Sequence, residues 1–126
     1  MGSFSDDLSD RFMNLVINII KLERGLIKTY SGRHIYGQLF RAGTSSGANY
    51  EEARAGESRA DFIHKMQIVL KELRESYFWI KLILESNLIS KEDEVLQFLY
   101  SESKELTNII AKSVITAKSK VVKTAN

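Results

Sequence analysis

The chain has 126 residues and a formal net charge of +2, the size of one domain whose core needs no covalent staple. It has no cysteine, which excludes disulfides, thiolate zinc sites and thiol catalysis, and no proline, which suits long helices and short turns. Charged residues at 27% and hydrophobic ones at 44% fit a soluble globular protein, and no apolar run approaches the roughly 20 residues that cross a bilayer.

The N-terminus, MGSFSDDLSDR, is acidic and lacks a hydrophobic stretch of its own, so no secretion signal is expected. Asp6 stands where N-myristoylation needs Ser or Thr. The expected compartment is the cytoplasm, without membrane attachment.

The periodicity is helical throughout. A first helix is expected over about 6–28, with Phe12, Leu15, Val16, Ile19, Ile20, Leu22, Leu26 and Ile27 on a wide apolar stripe, and Tyr30, Ser31 and Gly32 as its break. A second is expected over 33–54, with Ile35, Leu39, Ala42, Ser46 and Tyr50 on one face. Ser58-Arg59-Ala60-Asp61 resembles a capping box and opens a third helix over 58–85. Its seam of Phe62, Met66, Val69, Leu73, Tyr77, Ile80 and Leu84 is nearly heptad, as in helices packed at about 20°. Ser90-Lys91-Glu92-Asp93 opens a fourth helix over 90–118, through Val95, Phe98, Leu99, Leu106, Ile109, Ile110 and Val114. Residues 119–126 are expected to fray. Short loops make neighbours antiparallel, so the expected fold is all-α: a single up-down-up-down antiparallel four-helix bundle.

The second helix is unusual. QLFRAGTSSGANYEEAR, residues 38–54, places Gly43, Thr44, Ser45, Ser46, Gly47 and Asn49 among good helix formers. A glycine inside a helix costs about 0.5–1 kcal/mol relative to alanine, so such a face implies that another backbone approaches closely. Gly43 and Gly47 lie four apart on that face. In the third helix, Phe78, Trp79, Leu82 and Ile83 add apolar girth beside the seam. Together these six residues are the candidate oligomer interface.

Enzyme chemistry finds little footing. A di-iron bundle needs carboxylates and two Glu-x-x-His motifs, and the chain offers one comparable pair, Asp61 with His64. No catalytic, metal or cofactor residue is therefore expected. Glu51 and Glu52 are adjacent and diverge by about 100° on a helix, which suits no shared reaction centre. Basic groups are the better lead. Arg33 and Arg41 in the second helix and Lys112, Lys118, Lys120 and Lys123 in a tail without acids are the candidate nucleic-acid contacts. The competing account of the tail is a favourable pairing of lysines with a helix C-terminus. For Arg41 it is a pair with an acid such as Glu52.

Gln38-Leu39-x-Arg41-x-x-x-Ser45-x-x-Ala48-Asn49-x-x-Glu52 resembles the signature of the bacterial four-helix-bundle proteins encoded in intervening sequences of 23S ribosomal RNA genes. Asp61-Phe62 and Lys71-Glu72-x-x-Glu75-Ser76-x-x-Trp79 resemble the third helix of that family. The chain is also similar to the accessory variability proteins of diversity-generating retroelements, basic pentamers that bind RNA and a reverse transcriptase. The resemblance implies a homopentameric ring. The combined expectation is a non-enzymatic interaction protein that binds structured RNA or an RNA-processing partner. The alternative is a protein-binding oligomeric scaffold without nucleic acid.

Overall fold

Four of the helices begin where a side chain takes up free N–H groups of the first turn. In α1 (Phe4–Lys21), Ser3 accepts from the Asp6 N–H at 3.1 Å, and the Asp6 carboxylate accepts from the Ser3 N–H at 3.3 Å. In α3 (Tyr30–Arg54), Thr29 Oγ1 accepts from the Gly32 N–H at 3.0 Å. In α4 (Arg59–Ser86), Ser58 accepts from the Asp61 N–H at 3.1 Å, as its capping-box pattern indicates. In α5 (Glu94–Ala125), Asp93 Oδ1 accepts from the Leu96 N–H at 2.9 Å. The computed structural model describes the backbone of residues 3–125 and the side chains of residues 3–121.

Several boundaries differ from the sequence expectation, each for a local reason. The first helix is not continuous to residue 28. At Leu22 the backbone N–H turns to the Ile19 carbonyl at 3.0 Å, and a separate turn, α2 (Glu23–Leu26), follows. Tyr30, Ser31 and Gly32 do not break a helix; they are the first turn of α3, because Thr29 supplies the cap. α5 starts later than residue 90, because Ser90 closes a turn onto the Glu92 N–H and Asp93 is the group that caps. It also runs on to Ala125 rather than fraying after residue 118. α4 ends as expected at Asn87, which adopts the left-handed conformation with φ 60°.

Cross-helix pairs fix the topology. Tyr50 meets Ser5 while Gly43 meets Ile19, so α3 runs against α1. Glu52 meets Lys65 while His34 meets Trp79, so α4 runs against α3. Tyr77 stacks on Tyr100 while Met66 shares a groove with Ser113, so α5 runs against α4. Arg11 meets Glu102 while Leu8 lines that same groove with Ser113, so α5 also runs against α1. The result is a closed up-down-up-down bundle in which α1 and α4 are diagonal.

The inward face of α3 matches its predicted stripe, with Leu39 and Ala42 fully buried; α4 matches at Val69, Leu73 and Ile80, but Phe62, Tyr77 and Leu84 are only partly buried, and Ser76 and Ile83 take the inward places beside them. In α5 the stripe is Leu96, Leu99, Ser103, Leu106, Ile110 and Val114, at three- and four-residue spacing. Val95 and Phe98, expected inside, are only partly buried, because the stripe passes one residue to their side. Each buried Leu or Ile contributes about 1.5–3 kcal/mol. Three small polar residues sit among them. Ser46, Ser76 and Ser103 donate back to the carbonyls of Gly43, Glu72 and Tyr100, so their burial leaves no unmet hydroxyl.

Candidate interaction surfaces

The residues of α3 that disfavour helix are satisfied inside their own helix. Thr44 donates to the Phe40 carbonyl at 2.7 Å and Asn49 to the Ser45 carbonyl at 2.9 Å. Their shortness lets α1 approach. A Cβ on Gly43 would overlap Ile19 Cδ1, while one on Gly47 would lie 3.7 Å from Phe12 Cβ and 3.9 Å from Val16 Cγ2. The small face of α3 is thus packed by the same chain.

On the opposite flank of α3, Arg41 is held by two carboxylates of α4, those of Glu72, at 3.1 Å, and Glu75. Glu75 Oε2 also accepts from Trp79 Nε1 at 3.1 Å. Burial works to raise the Glu75 carboxyl, but the hydrogen bonds from Trp79 and Arg41 outweigh it and hold it below the usual glutamate value. The Glu75 hydrogen bond in turn raises the Arg41 guanidinium. Glu52, the partner suggested by sequence, instead binds Lys65 at 2.7 Å.

Between α1 and α3 lies an apolar groove lined by Phe12, Met13, Val16, Thr44, Gly47 and Ala48. Around it Met13, Ile17, Ile20 and Phe40 are 63%, 44%, 49% and 39% exposed. Single exposed apolar residues are ordinary; four gathered on one face mark a contact surface.

Between α4 and α5 the surface is polar and basic. Tyr77 and Tyr100 stack with ring centroids 5.4 Å apart, and their hydroxyls meet at 3.2 Å. That hydrogen bond is the main cause that raises the Tyr77 phenol, with burial and Glu85 adding to it. Arg74, Lys104, Thr107 and Asn108 line the groove beside the tyrosines.

A family model described as 23S rRNA-intervening sequence protein matches residues 7–112. The chain belongs to this family. A solved structure similar to this chain is that of a protein of unknown function from the S23 ribosomal protein family of Bacteroides thetaiotaomicron VPI-5482. It is 30% identical, with a TM-score of 0.73, over 84% of this chain and 96% of that one. Among curated proteins none matches.

In this intervening sequence protein the predicted contacts are dispersed. Arg33 is exposed and donates to the Ile27 carbonyl at 3.3 Å. Lys112, Lys118 and Lys120 are exposed, but at 100° per residue they point to different sides of α5, roughly 80–160° apart, rather than forming one patch. The side chain of Lys123 lies outside the described residues. Of the six interface candidates, Gly43 and Ile83 are buried in the chain's own core, so no outer surface includes them. Gly47 lines the α1–α3 groove; Phe78 is 56% exposed, with Trp79 and Leu82 partly buried nearby. The sequence reading missed Met13, Ile17 and Phe40 as a surface, because α1 and α3 residues meet there only once the helices pair. It also missed Arg74 and Lys104, which the same kind of pairing brings together. Among the described residues no three His, Cys, Asp or Glu gather as metal ligands, and no helix is long and apolar enough to cross a membrane.

Proposed function

We propose that this protein is a non-enzymatic, cytoplasmic adaptor that closes into a ring and binds structured RNA of the 23S intervening-sequence type or an RNA-processing partner. The apolar α1–α3 face carries this reading, because a monomer gains nothing from leaving Met13, Ile17, Ile20 and Phe40 in water. A second apolar site, Phe78 with Leu82, lies on α4, the helix diagonal to α1. Two different patches on opposite sides suit a heterologous contact, which repeats around a ring, and the family resemblance implies five copies. Repetition multiplies a weak basic surface into useful avidity, which suits a net charge of only +2 per chain. Exposed cations such as Arg33, Lys112 and Lys118 are available for phosphate.

The second reading is a protein scaffold without nucleic acid. It is favoured by Arg41, the cation at the centre of the family-like signature, being committed to Glu72 and Glu75. Light scattering combined with titration of a structured 23S ribosomal RNA fragment at low salt separates the two. A multiple of 14.4 kDa that binds RNA supports the first; an assembly that ignores RNA supports the second; a monomer at micromolar concentration removes the ring.

A further inference from the structure

Unpaired cations are scattered over this bundle, Arg33, Lys112 and Lys118 among them, so what sets a groove apart is whether its cations converge with no acid facing them. On three of the bundle's four grooves cations are held by acids across the helix pair: Arg11 by Glu102 and Glu105 between α1 and α5, Arg54 by Asp6 between α1 and α3, and Arg41 and Lys65 between α3 and α4. The α4–α5 groove differs. Among the described residues Arg74, Lys81 and Lys104 have no acid within 4 Å. Arg74, Tyr77 and Lys81 recur at three and four residues, so they share one side of α4. Tyr100, Lys104 and Thr107 do the same on α5. The stacked tyrosines join the two rows. The acid in this groove, Glu85, sits at its α4 C-terminal end with Lys91 beside it.

We propose that the α4–α5 groove binds a single-stranded segment of RNA, with Arg74, Lys81 and Lys104 on its phosphates and Tyr77, Tyr100 and Asn108 against its sugars and bases. This rests on the RNA-binding reading above and names the surface that performs it. An unpaired cation keeps its full attraction for phosphate, whereas one already bound to a carboxylate must first give that partner up. The lining supplies aromatic edges, hydroxyls and an amide rather than the apolar ridge a protein helix needs. Large apolar surface lies instead on the α1–α3 face and at Phe78. Packed helices stand about 8–10 Å apart, so the cleft admits a strand or an unpaired loop and not a duplex. Sequence-tolerant binding to single strands uses this combination of a basic track and aromatic rings.

The test is fluorescence anisotropy on the full chain with a labelled 15-nucleotide single-stranded RNA at two salt concentrations. A hairpin of the same length and polyglutamate serve as competitors. The triple variant R74Q/K81Q/K104Q is compared with the charge-matched R33Q/K112Q/K118Q. Melting temperature and mass are recorded for both, since none of these side chains is in an ion pair. The groove variant is expected to lose tenfold or more in affinity and to make the log–log salt slope shallower by about 2, at roughly 0.7 per phosphate contact on a single strand. Y77F/Y100F is expected to weaken binding while leaving that slope unchanged. A groove variant that binds like the parent, with the loss falling on the charge-matched variant, overturns this site and leaves RNA binding standing. Stronger competition by the hairpin than by the single strand also overturns it. Polyglutamate displacing the RNA at equal charge overturns it in favour of an acidic peptide. A parent protein that binds neither RNA removes the RNA reading itself.

Discussion

Gly32 lies directly against the carbonyl oxygen of Leu26, closer than any Cβ tolerates. This contact is how the chain turns from α2 into α3, and Thr29 Oγ1, which caps the Gly32 N–H, crowds the same position. The atom in the way is backbone and has no rotamer in which to retreat. Gly32→Ala is therefore expected to destabilise the protein by about 1–3 kcal/mol despite its better helix propensity, read as a lower urea midpoint at unchanged m-value. A midpoint equal to the parent's would mean that the corner opens freely.

Gly47 predicts the opposite sign for the same change. A Cβ added there would lie 3.7 Å from Phe12 Cβ and 3.9 Å from Val16 Cγ2, ordinary contact distances for a methyl group. Gly47→Ala should stabilise by about 0.5–1 kcal/mol through backbone entropy. Gly47→Leu should cost about 1–3 kcal/mol by overpacking the α1 contact. Equal stability of the Ala and Leu variants in urea titrations would show that α1 stands off from this face.

These two glycines show what the sequence made legible. Tight packing was readable at Gly43, where an added Cβ would overlap Ile19, but a side chain approaches there and not a backbone, and Gly47 has room for a methyl group. Which helix supplies the neighbour was not, since an α1 of the same chain and a helix of another copy ask for the same small residues. Gly32 was misread as a break because the cap that moves the boundary is Thr29, a residue equally at home in a loop. The Glu75 bridge was invisible for another reason: Arg41 lies closer in sequence to Glu51 and Glu52, and only antiparallel packing presents Glu72 and Glu75 to it.

Glu75 makes the fold sensitive to acid. Burial opposes its charge, yet the bonds from Trp79 and Arg41 keep its folded value below the ordinary 4.5. A depressed value means that its contribution is fully present above the ordinary value and is lost as pH falls through the lowered one. Asp6 and Glu92 are lowered as well, Asp6 first through its hydrogen bond with the Ser3 backbone and Glu92 first through that of Ser90. Urea midpoints measured downward from pH 6 should fall below pH 4.5, and Glu75→Gln should fall less steeply while starting lower. Parallel curves for parent and variant would show that the bridge is not formed in solution.

The ring makes the sharpest demand. If the α1–α3 face of one copy takes the Phe78 and Leu82 site of the next, every copy carries one donor patch and one acceptor patch. Ile17→Lys with Ile20→Lys should break the first patch, and Phe78→Asp the second. All three positions are exposed in the single chain, so each variant should keep its helical circular dichroism. Alone, each should run as a 14.4 kDa monomer in light scattering. Mixed, they should form a dimer, because the intact Phe78 site of one variant meets the intact α1–α3 face of the other. That dimer should grow no further, since both of its outer patches are broken. A self-complementary contact gives a different result: the variant whose own patch remains intact stays oligomeric without help. Two monomers that ignore each other on mixing would separate the two patches and remove the heterologous ring.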